Sequence, residues 1–197
     1  GEFWTLDQAI LGAEPYGERP PEIWMAAHRP RVLAAAGRLA DGWLPIFFSP
    51  ERFAETHGDV LDAGFVRRGG RPDDWDLAPL VPVVVSNDLP AARDFLRPLL
   101  ALYVGGMGPR GGNFYPRLLA PYGFAAEAVQ IQDLFLEGKA REAAAAVPDA
   151  LIDEVALVGD RARIADRLAA FDACGVTTLI VQSRQATTLR LLADLVG

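Results

Sequence analysis

The stretch PPEIWMAAHRPRVLAAAGRLADGWLPIFF, residues 20–48, decides the fold, because strand, loop, helix and strand patterns follow one another along it. Residues 22–27 form a short apolar run after two prolines, which is typical of a strand covered on both faces. Pro30 has the fixed φ that suits the first turn of a helix, and apolar residues then recur at helical spacing up to Leu39. Residues 40–47 return to a strand pattern. Two such strands joined by a helix lie parallel, so the stretch predicts an α/β fold.

The loop between the first strand and the helix is the strongest candidate for a binding site. Its small residues let the backbone approach a ligand, and its basic residues lie at the positive end of a helix, which favours an anion. The alternative is that the alanines only pack and the arginines are solvated. His28 either contacts a ligand or has no role, and Trp43 is either an aromatic wall of the site or a core residue. The candidate binding residues are Ala26, Ala27, His28, Arg29, Pro30, Arg31 and Trp43.

The rest of the chain continues the alternation of strands and helices. Ser49 is a candidate N-cap, and Pro50 follows it in the first helical position. Asp88 is expected to cap the helix that begins at residue 90, and Asp160 is expected to start the helix at residues 161–174. Pro79 and Pro82 are awkward inside a central strand, so the strand of the next apolar run is placed from Pro82 onward. Strands are predicted at residues 22–27, 40–47, 82–86 and 176–182, and helices at residues 30–39, 50–64, 90–104, 161–174 and 187–196.

Residues 105–155 exceed the single helix of an alternating unit and are therefore predicted to be an insertion. Residues 105–112 contain five glycines in eight positions, which predicts a flexible loop over the mouth of the fold. They lack the residue order of a phosphate-binding P-loop. Residues 113–147 are predicted to be mostly helical, with breaks at Pro116, at residues 121–123 and at residues 137–138.

No pattern in the sequence identifies catalytic residues. No Ser–His–Asp order, metal-ligand cluster or isolated carboxylate pair stands out. His57 is placed in a surface helix beside Glu55 and Asp59, and no role is expected for it. Cys174 is expected to be inert packing.

Composition narrows the class of protein. The 197 residues are 51% hydrophobic, which is enough for a globular core, but a complete α/β barrel takes about 250 residues. The net charge of −7 argues against nucleic acid or an anionic membrane as partner. There is no apolar run of about 18 residues that would span a membrane. The single cysteine excludes an internal disulfide and favours a cytoplasmic location.

Residues 21–27, 30–33 and 40–45 resemble the luciferase-like monooxygenase superfamily. The likeness is greatest to its deazaflavin-dependent branch, which includes the methylene-tetrahydromethanopterin reductase-like and phthiodiolone-ketoreductase-like oxidoreductases. It covers nearly all of this chain but only the second half of a family member. Further matches occur at residues 103–108, 113–115, 147–151 and 159–178.

The resemblance implies a (β/α)8 TIM barrel, of which this chain contains strands five to eight, with a helical insertion before the last strand. The first four strands are then expected either to have been removed by truncation or to lie on another chain. The implied plan is a connector at residues 1–19, strand–helix units at residues 20–104, the insertion at residues 105–155 and a last helix–strand–helix at residues 156–197.

The resemblance also implies the cofactor, coenzyme F420, and hydride transfer to an unsaturated or carbonyl substrate. The loop at residues 26–31 would lie along the cofactor's phosphate-bearing tail, and polar groups around the reactive ring would come largely from strands one to four. One alternative is an FMN-dependent monooxygenase, and another is a non-catalytic half-barrel that self-assembles. The expected partners are a small-molecule substrate and either further copies of the chain or the missing N-terminal half. The fragment alone is expected to be inactive.

Arg29 departs from the family pattern, because family members usually have glycine at this position of the loop. Glycine there permits a positive φ, in which arginine is strained. Either the loop of this chain therefore has a different shape, or the Arg29 side chain compensates by binding an anionic tail.

Overall fold

The structure is a computed structural model that describes residues 20–183 and 185–197, together with Phe3, Thr5, Asp7 and Gln8. Apart from those four, the predicted connector at residues 1–19 lies outside the described residues. Within the described ranges, six strands form two three-stranded sheets in which every pair is parallel, in the orders β1-β2-β3 and β5-β4-β6. The strands are β1 (Trp24–Met25), β2 (Gly42–Trp43), β3 (Asp76–Leu77), β4 (Leu80–Val85), β5 (Leu157–Gly159) and β6 (Ile180–Gln182).

Helices connect and cover these strands, so the predicted parallel α/β fold is confirmed. Asp88 and Asp160 are N-caps as predicted: Asp88 accepts from the Ala91 N–H at 3.0 Å, and Asp160 accepts from the Arg163 N–H at 2.9 Å. The helices are α1 (Pro30–Leu39), α2 (Asp59–Arg68), α3 (Leu89–Ala101), α4 (Tyr115–Leu119), α5 (Ala125–Leu136), α6 (Ala140–Ala145), α7 (Asp149–Val155), α8 (Arg161–Ala173) and α9 (Ala186–Val196).

Strand positions were predicted better than strand lengths. The regular pairing covers only the middle of residues 22–27 and 40–47 and only the end of residues 176–182. Beyond the ends of these strands, neighbouring segments are joined by individual backbone hydrogen bonds, such as the one from the Asp41 N–H to the Ile23 carbonyl oxygen at 2.8 Å. β5 was not predicted, because its three residues were assigned to the last helix–strand–helix unit, in which no strand was placed before the first helix.

The predicted start of the third strand at Pro82 was wrong, because β4 begins at Leu80. Leu80 donates its N–H to the Pro45 carbonyl oxygen at 2.8 Å, so the N–H groups of alternate residues in β4 face the segment that follows β2. An N–H at position 82 would face the same segment as the N–H of Leu80. That segment turns away from β4 at Phe47, which has a φ of 50°. The missing N–H of Pro82 therefore leaves no bond of the sheet unmade.

The second helix begins later than predicted. Ser49 accepts from the Arg52 N–H at 3.2 Å, but its own hydroxyl donates to Glu154 at 2.5 Å. A π-helical turn at Ala54–Gly58 precedes α2, which ends at Gly69 with a φ of 101°. The predicted end at Gly64 was wrong, because that glycine lies inside α2 and faces α1.

α1 and α2 are in backbone contact through glycines. A Cβ on Gly37 would lie 2.6 Å from the Leu61 carbonyl oxygen, and a Cβ on Gly64 would overlap the carbonyl oxygen of Ala34. Neither position has room for a side chain, because the neighbours are backbone atoms that cannot rotate away. The two helices therefore hold each other, and the loop that precedes α1, at a fixed distance from the π-helical turn.

Parts of the predicted insertion differ from expectation. Gly105 and Gly106 belong to a π-helical turn and not to a loop, because the Phe135 ring packs where their side chains would be. The predicted break at Pro116 was also wrong, since Pro116 lies in the first turn of α4, where its missing N–H costs nothing. The breaks at residues 121–123 and 137–138 are confirmed, with positive φ values of 92° at Gly123 and 78° at Gly138.

Ion pairs attach the insertion to the rest of the fold. Arg93 on α3 bonds to Asp153 at 2.6 Å and to Asp149 at 3.0 Å, both on α7. Arg163 on α8 contacts the same Asp153 oxygen at 2.8 Å. These contacts connect α3, α7 and α8, so the insertion has a defined position relative to the strands.

Candidate functional site

A cavity of about 780 Å³ opens at the carboxyl end of β1. Three parts of the chain form its wall: the loop into α1, the π-helical turn before α2, and the segment around α4. Loops at the carboxyl ends of parallel strands are where α/β folds place their ligands. The lining residues are His28, Arg29, Pro30, Arg31, Val32, Thr56, His57, Phe114, Arg117, Leu118 and Pro121.

The predicted site residues divide into two groups. His28, Arg29, Pro30 and Arg31 line the cavity, whereas Ala26, Ala27 and Trp43 do not. Ala26 is exposed, and Ala27 and Trp43 are buried behind the cavity wall. The indole Nε1–H of Trp43 donates to the Ala27 carbonyl oxygen at 2.5 Å, so Trp43 positions the loop from behind.

Arg29 shows no backbone strain. Its φ of −77° and ψ of 137° are ordinary for an extended N-cap residue, so the loop does not need the positive φ that a glycine would permit. Its carbonyl oxygen accepts from the Val32 and Leu33 N–H groups at 2.9 and 2.8 Å. Pro30 has no N–H, which leaves the N–H of Arg31 as the backbone donor of this turn that a ligand can use.

The cavity is locally basic in an acidic protein. Arg29 and Arg31 line it from the loop and α1, and Arg117, whose guanidinium donates to the Gly111 carbonyl oxygen at 2.6 Å, lines it from α4. None of the described residues that line the cavity is Asp or Glu, although the chain has a net charge of −7. A site of this composition favours an anionic ligand.

The two histidines of the cavity lie next to each other, with ring centroids 6.1 Å apart. His28 Nε2 accepts from the Ile46 N–H at 3.3 Å, so the proton of the neutral ring is on Nδ1, which has no partner among the described residues. His57 Nδ1 lies 2.6 Å from the Thr56 hydroxyl, whose proton goes to the Arg52 carbonyl at 2.7 Å. His57 therefore donates from Nδ1, and its Nε2 carries a lone pair.

Both rings are neutral at physiological pH. Burial lowers the pKa of His28 to about 4, and the nearby His57 lowers it further as a smaller cause. Burial alone lowers the pKa of His57 to about 4. Phe114 packs on the His28 ring with centroids 5.2 Å apart, and Trp43 packs on the His57 ring at 5.1 Å, so an aromatic neighbour covers part of each ring.

The expectation that His57 is a surface residue was wrong, since its side chain is only 6% exposed. The spacing of His57 in the sequence could have predicted its burial. His57 is four residues after Phe53 and four before Leu61, so it lies on the apolar stripe of the helix. Phe114, from the family match at residues 113–115, both packs on His28 and lines the cavity.

The buried histidines predict that the protein becomes less stable in mild acid. The folded pKa lies below the unfolded value of 6.5, so the unfolded chain binds the proton first and stability falls as the pH drops from 7 towards 4. For His57 we expect a loss of about 1–2 kcal/mol in the free energy of unfolding between pH 7 and pH 5. Urea unfolding at both pH values, with His57→Gln as control, measures it. An equal pH dependence of variant and wild type would contradict the prediction.

A second cavity, of about 570 Å³, lies at the carboxyl ends of β4 and β6, beside Phe95 and Gln182. Within residues 20–183 and 185–197, no three His, Cys, Asp or Glu side chains are grouped to hold a metal ion. In the same ranges no helix is both long and apolar enough to span a bilayer.

Comparison with known proteins connects this site to a family. The family model described as luciferase-like monooxygenase matches residues 1–178. A Mycobacterium tuberculosis protein provisionally named a coenzyme F420-dependent oxidoreductase is 38% identical over 176 residues, which cover 88% of this chain and 50% of that protein. A phthiodiolone/phenolphthiodiolone dimycocerosates ketoreductase of Mycobacterium bovis is 30% identical over 175 residues, covering 85% and 44% of the two chains.

A solved structure is similar in fold. The coenzyme F420-dependent tetrahydromethanopterin reductase from Methanopyrus kandleri superposes with a TM-score of 0.69 at 23% sequence identity, covering 89% of this chain and 49% of that one. The chain thus spans about half the length of the relatives it matches. The four predicted strand regions and the parallel pairing are those of part of a luciferase-like TIM barrel.

Proposed function

This chain belongs to the luciferase-like monooxygenase family, and from that membership we propose that it forms the tail-binding side of the cofactor site in a coenzyme F420-dependent oxidoreductase. The observation that carries the proposal is the basic cavity at the end of β1, which has three arginines and no carboxylate among its described lining residues. A phosphate-bearing tail matches this donor set. Relatives named for coenzyme F420 support the choice of cofactor.

The cavity residues of this chain bind and orient the cofactor and do not themselves take part in the reaction. Arg29, Arg31 and Arg117 offer charge-assisted hydrogen bonds to an anionic tail, and the Arg31 N–H adds the positive end of α1. Phe114 excludes water from the inner wall. When bound, coenzyme F420 supplies the hydride chemistry. The substrate that we propose is an unsaturated or carbonyl compound, a choice supported by the relative named a ketoreductase.

Arg31→Ala is expected to weaken binding of coenzyme F420 by about 1–3 kcal/mol, the range for a charge-assisted hydrogen bond. The dependence of the dissociation constant on salt should decrease as well, because one ionic contact is lost. Fluorescence titration of the intact protein at two salt concentrations measures both. A dissociation constant that is unchanged at low salt would contradict the placement of the tail.

Arg29→Gly is the companion variant. It should weaken binding of coenzyme F420 more than binding of a deazaflavin that lacks the charged tail, because only the former contacts the guanidinium. Its melting temperature should not rise, since the Arg29 backbone is unstrained. Equal losses for both ligands would place Arg29 away from the tail.

FMN is the competing cofactor, and the same titration separates the two. Tighter binding of FMN, with oxygen consumption after reduction, would replace the proposed reductase by a monooxygenase. Assembly of the chain, either as a homo-oligomer or with the missing N-terminal half, stays a prediction.

A further inference from the structure

The two cavity histidines differ in whether a proton can be added to them. His28 Nε2 accepts from the Ile46 N–H, so protonation at Nε2 would replace an attractive contact by a repulsive one. His57 already donates from Nδ1 to Thr56, and its Nε2 lone pair can take a proton without breaking that bond. Of the two rings, His57 is therefore the one that can accept a proton without losing a hydrogen bond.

Burial and the neighbouring groups decide when His57 takes the proton. The groups next to the ring are His28 from the loop, Trp43 from β2 and Thr56 from its own turn, and the arginines Arg29, Arg31 and Arg117 line the same cavity. Glu55 and Asp59, its neighbours in sequence, are exposed and do not line the cavity. Without a ligand, the balance favours the neutral ring, because burial lowers the pKa of His57 and none of the described lining residues is a carboxylate that could stabilise a proton on it.

An anion in the cavity reverses this balance. It compensates the arginines and provides an acceptor for a proton on Nε2, so the protonated ring gains a charge-assisted hydrogen bond. We propose that His57 becomes positively charged when a ligand binds: an anionic group binds together with a proton on His57 Nε2, while His28 stays neutral. The inference rests on the proposed function for the identity of the ligand, but its chemistry requires only an anion.

The imidazole NMR signals provide the test, because the chain has only two histidines. Sulfate is the probe, since it is a dianion that does not titrate near neutral pH, and chloride at equal ionic strength is the control. In the intact protein, sulfate should raise the pKa of His57, which is about 4 without ligand, by at least one unit. No sulfate-dependent change of the His57 pKa at any concentration, or a change confined to His28, would overturn the proposal.

Proton linkage predicts how affinity varies with pH. As the pH falls from 8 towards 4, the affinity for sulfate should rise, and the total gain approaches tenfold for each unit by which sulfate raises the pKa of His57. His57→Gln should remove this dependence and should bind sulfate as the wild type does at pH 8. Arg117→Gln is the matched control, because it removes a cavity charge that does not titrate. It should weaken sulfate binding at every pH and leave the pH dependence of the affinity unchanged. Loss of that pH dependence in Arg117→Gln would overturn the role of His57.

The same measurement with coenzyme F420 separates this inference from the proposed function. If sulfate raises the His57 pKa and coenzyme F420 does not bind, the proton-linked anion site stands and the proposed cofactor is wrong. If coenzyme F420 binds and the His57 pKa does not change with either ligand, the cofactor stands and the proton linkage is overturned.

Discussion

Trp43→Ala is expected to lower the free energy of unfolding by about 3–5 kcal/mol, the range for truncating a fully buried aromatic side chain. The Trp43 side chain is 0% exposed and packs against the rings of Phe48, Phe53 and His57, with centroids 6.1, 6.3 and 5.1 Å away. These rings lie in residues 48–57, and the indole packs that stretch against β2. Urea unfolding followed by circular dichroism measures the loss.

Trp43→Phe separates packing from hydrogen bonding. Phenylalanine keeps much of the ring volume but removes the donor, so the buried Ala27 carbonyl loses its partner, at a cost of about 1–3 kcal/mol. Affinity for an anion in the cavity should fall in this variant too, because the loop loses the contact that positions it. A loss below about 1 kcal/mol for Trp43→Ala would show that the segments around the ring are held by other contacts.

Gly64→Ala is expected to destabilise the protein by about 3 kcal/mol, at the upper end for overpacking, because its new Cβ would overlap the Ala34 carbonyl oxygen and lie 3.0 Å from the Gly37 Cα. These are backbone atoms, so α1 and α2 must move apart to admit the methyl group. Displacement of α1 also moves the loop at its start. Weaker anion binding should therefore accompany the loss of stability.

Gly58→Ala is the matched control for Gly64→Ala. Gly58 also lies in a helical segment, but the nearest atom to a Cβ there is the Phe53 carbonyl oxygen at 3.8 Å, an ordinary contact. Alanine should leave the stability equal or raise it by about 0.5–1 kcal/mol, since it restricts the unfolded chain. Similar losses for both variants, measured by thermal melts, would contradict the close helix contact.

Local rules predicted the parts of the fold that depend on local contacts. Asp88 and Asp160 were recognisable as caps because an N-cap interacts with a residue only three positions away. Ser49 has the same local signature, but its hydroxyl bonds to Glu154, 105 residues later in the chain. Gly105 was read as a loop residue because Phe135, which occupies its side-chain space, is distant in sequence.

The candidate site was likewise predicted where its residues are contiguous in sequence and missed where they come from distant segments. The loop at residues 26–31 was predicted because strand, small residues, basic residues and helix start are contiguous. Arg117 and Thr56 were missed, since no sequence spacing indicates that α4 and the π-helical turn meet at this loop. His57 was different, because its position on the stripe of Phe53 and Leu61 could have placed it inside.

Part of the cavity wall comes from the segment around α4, with Phe114, Arg117, Leu118 and Pro121. This segment contributes no strand to the two sheets, so a substitution at Arg117 changes the chemistry of the cavity without altering the pairing of the strands. In evolutionary terms, the ligand and the scaffold are separable. A lineage of such proteins can change which molecule it binds through exposed positions of this segment such as Arg117, while Leu118 and Leu119 keep it packed in the core.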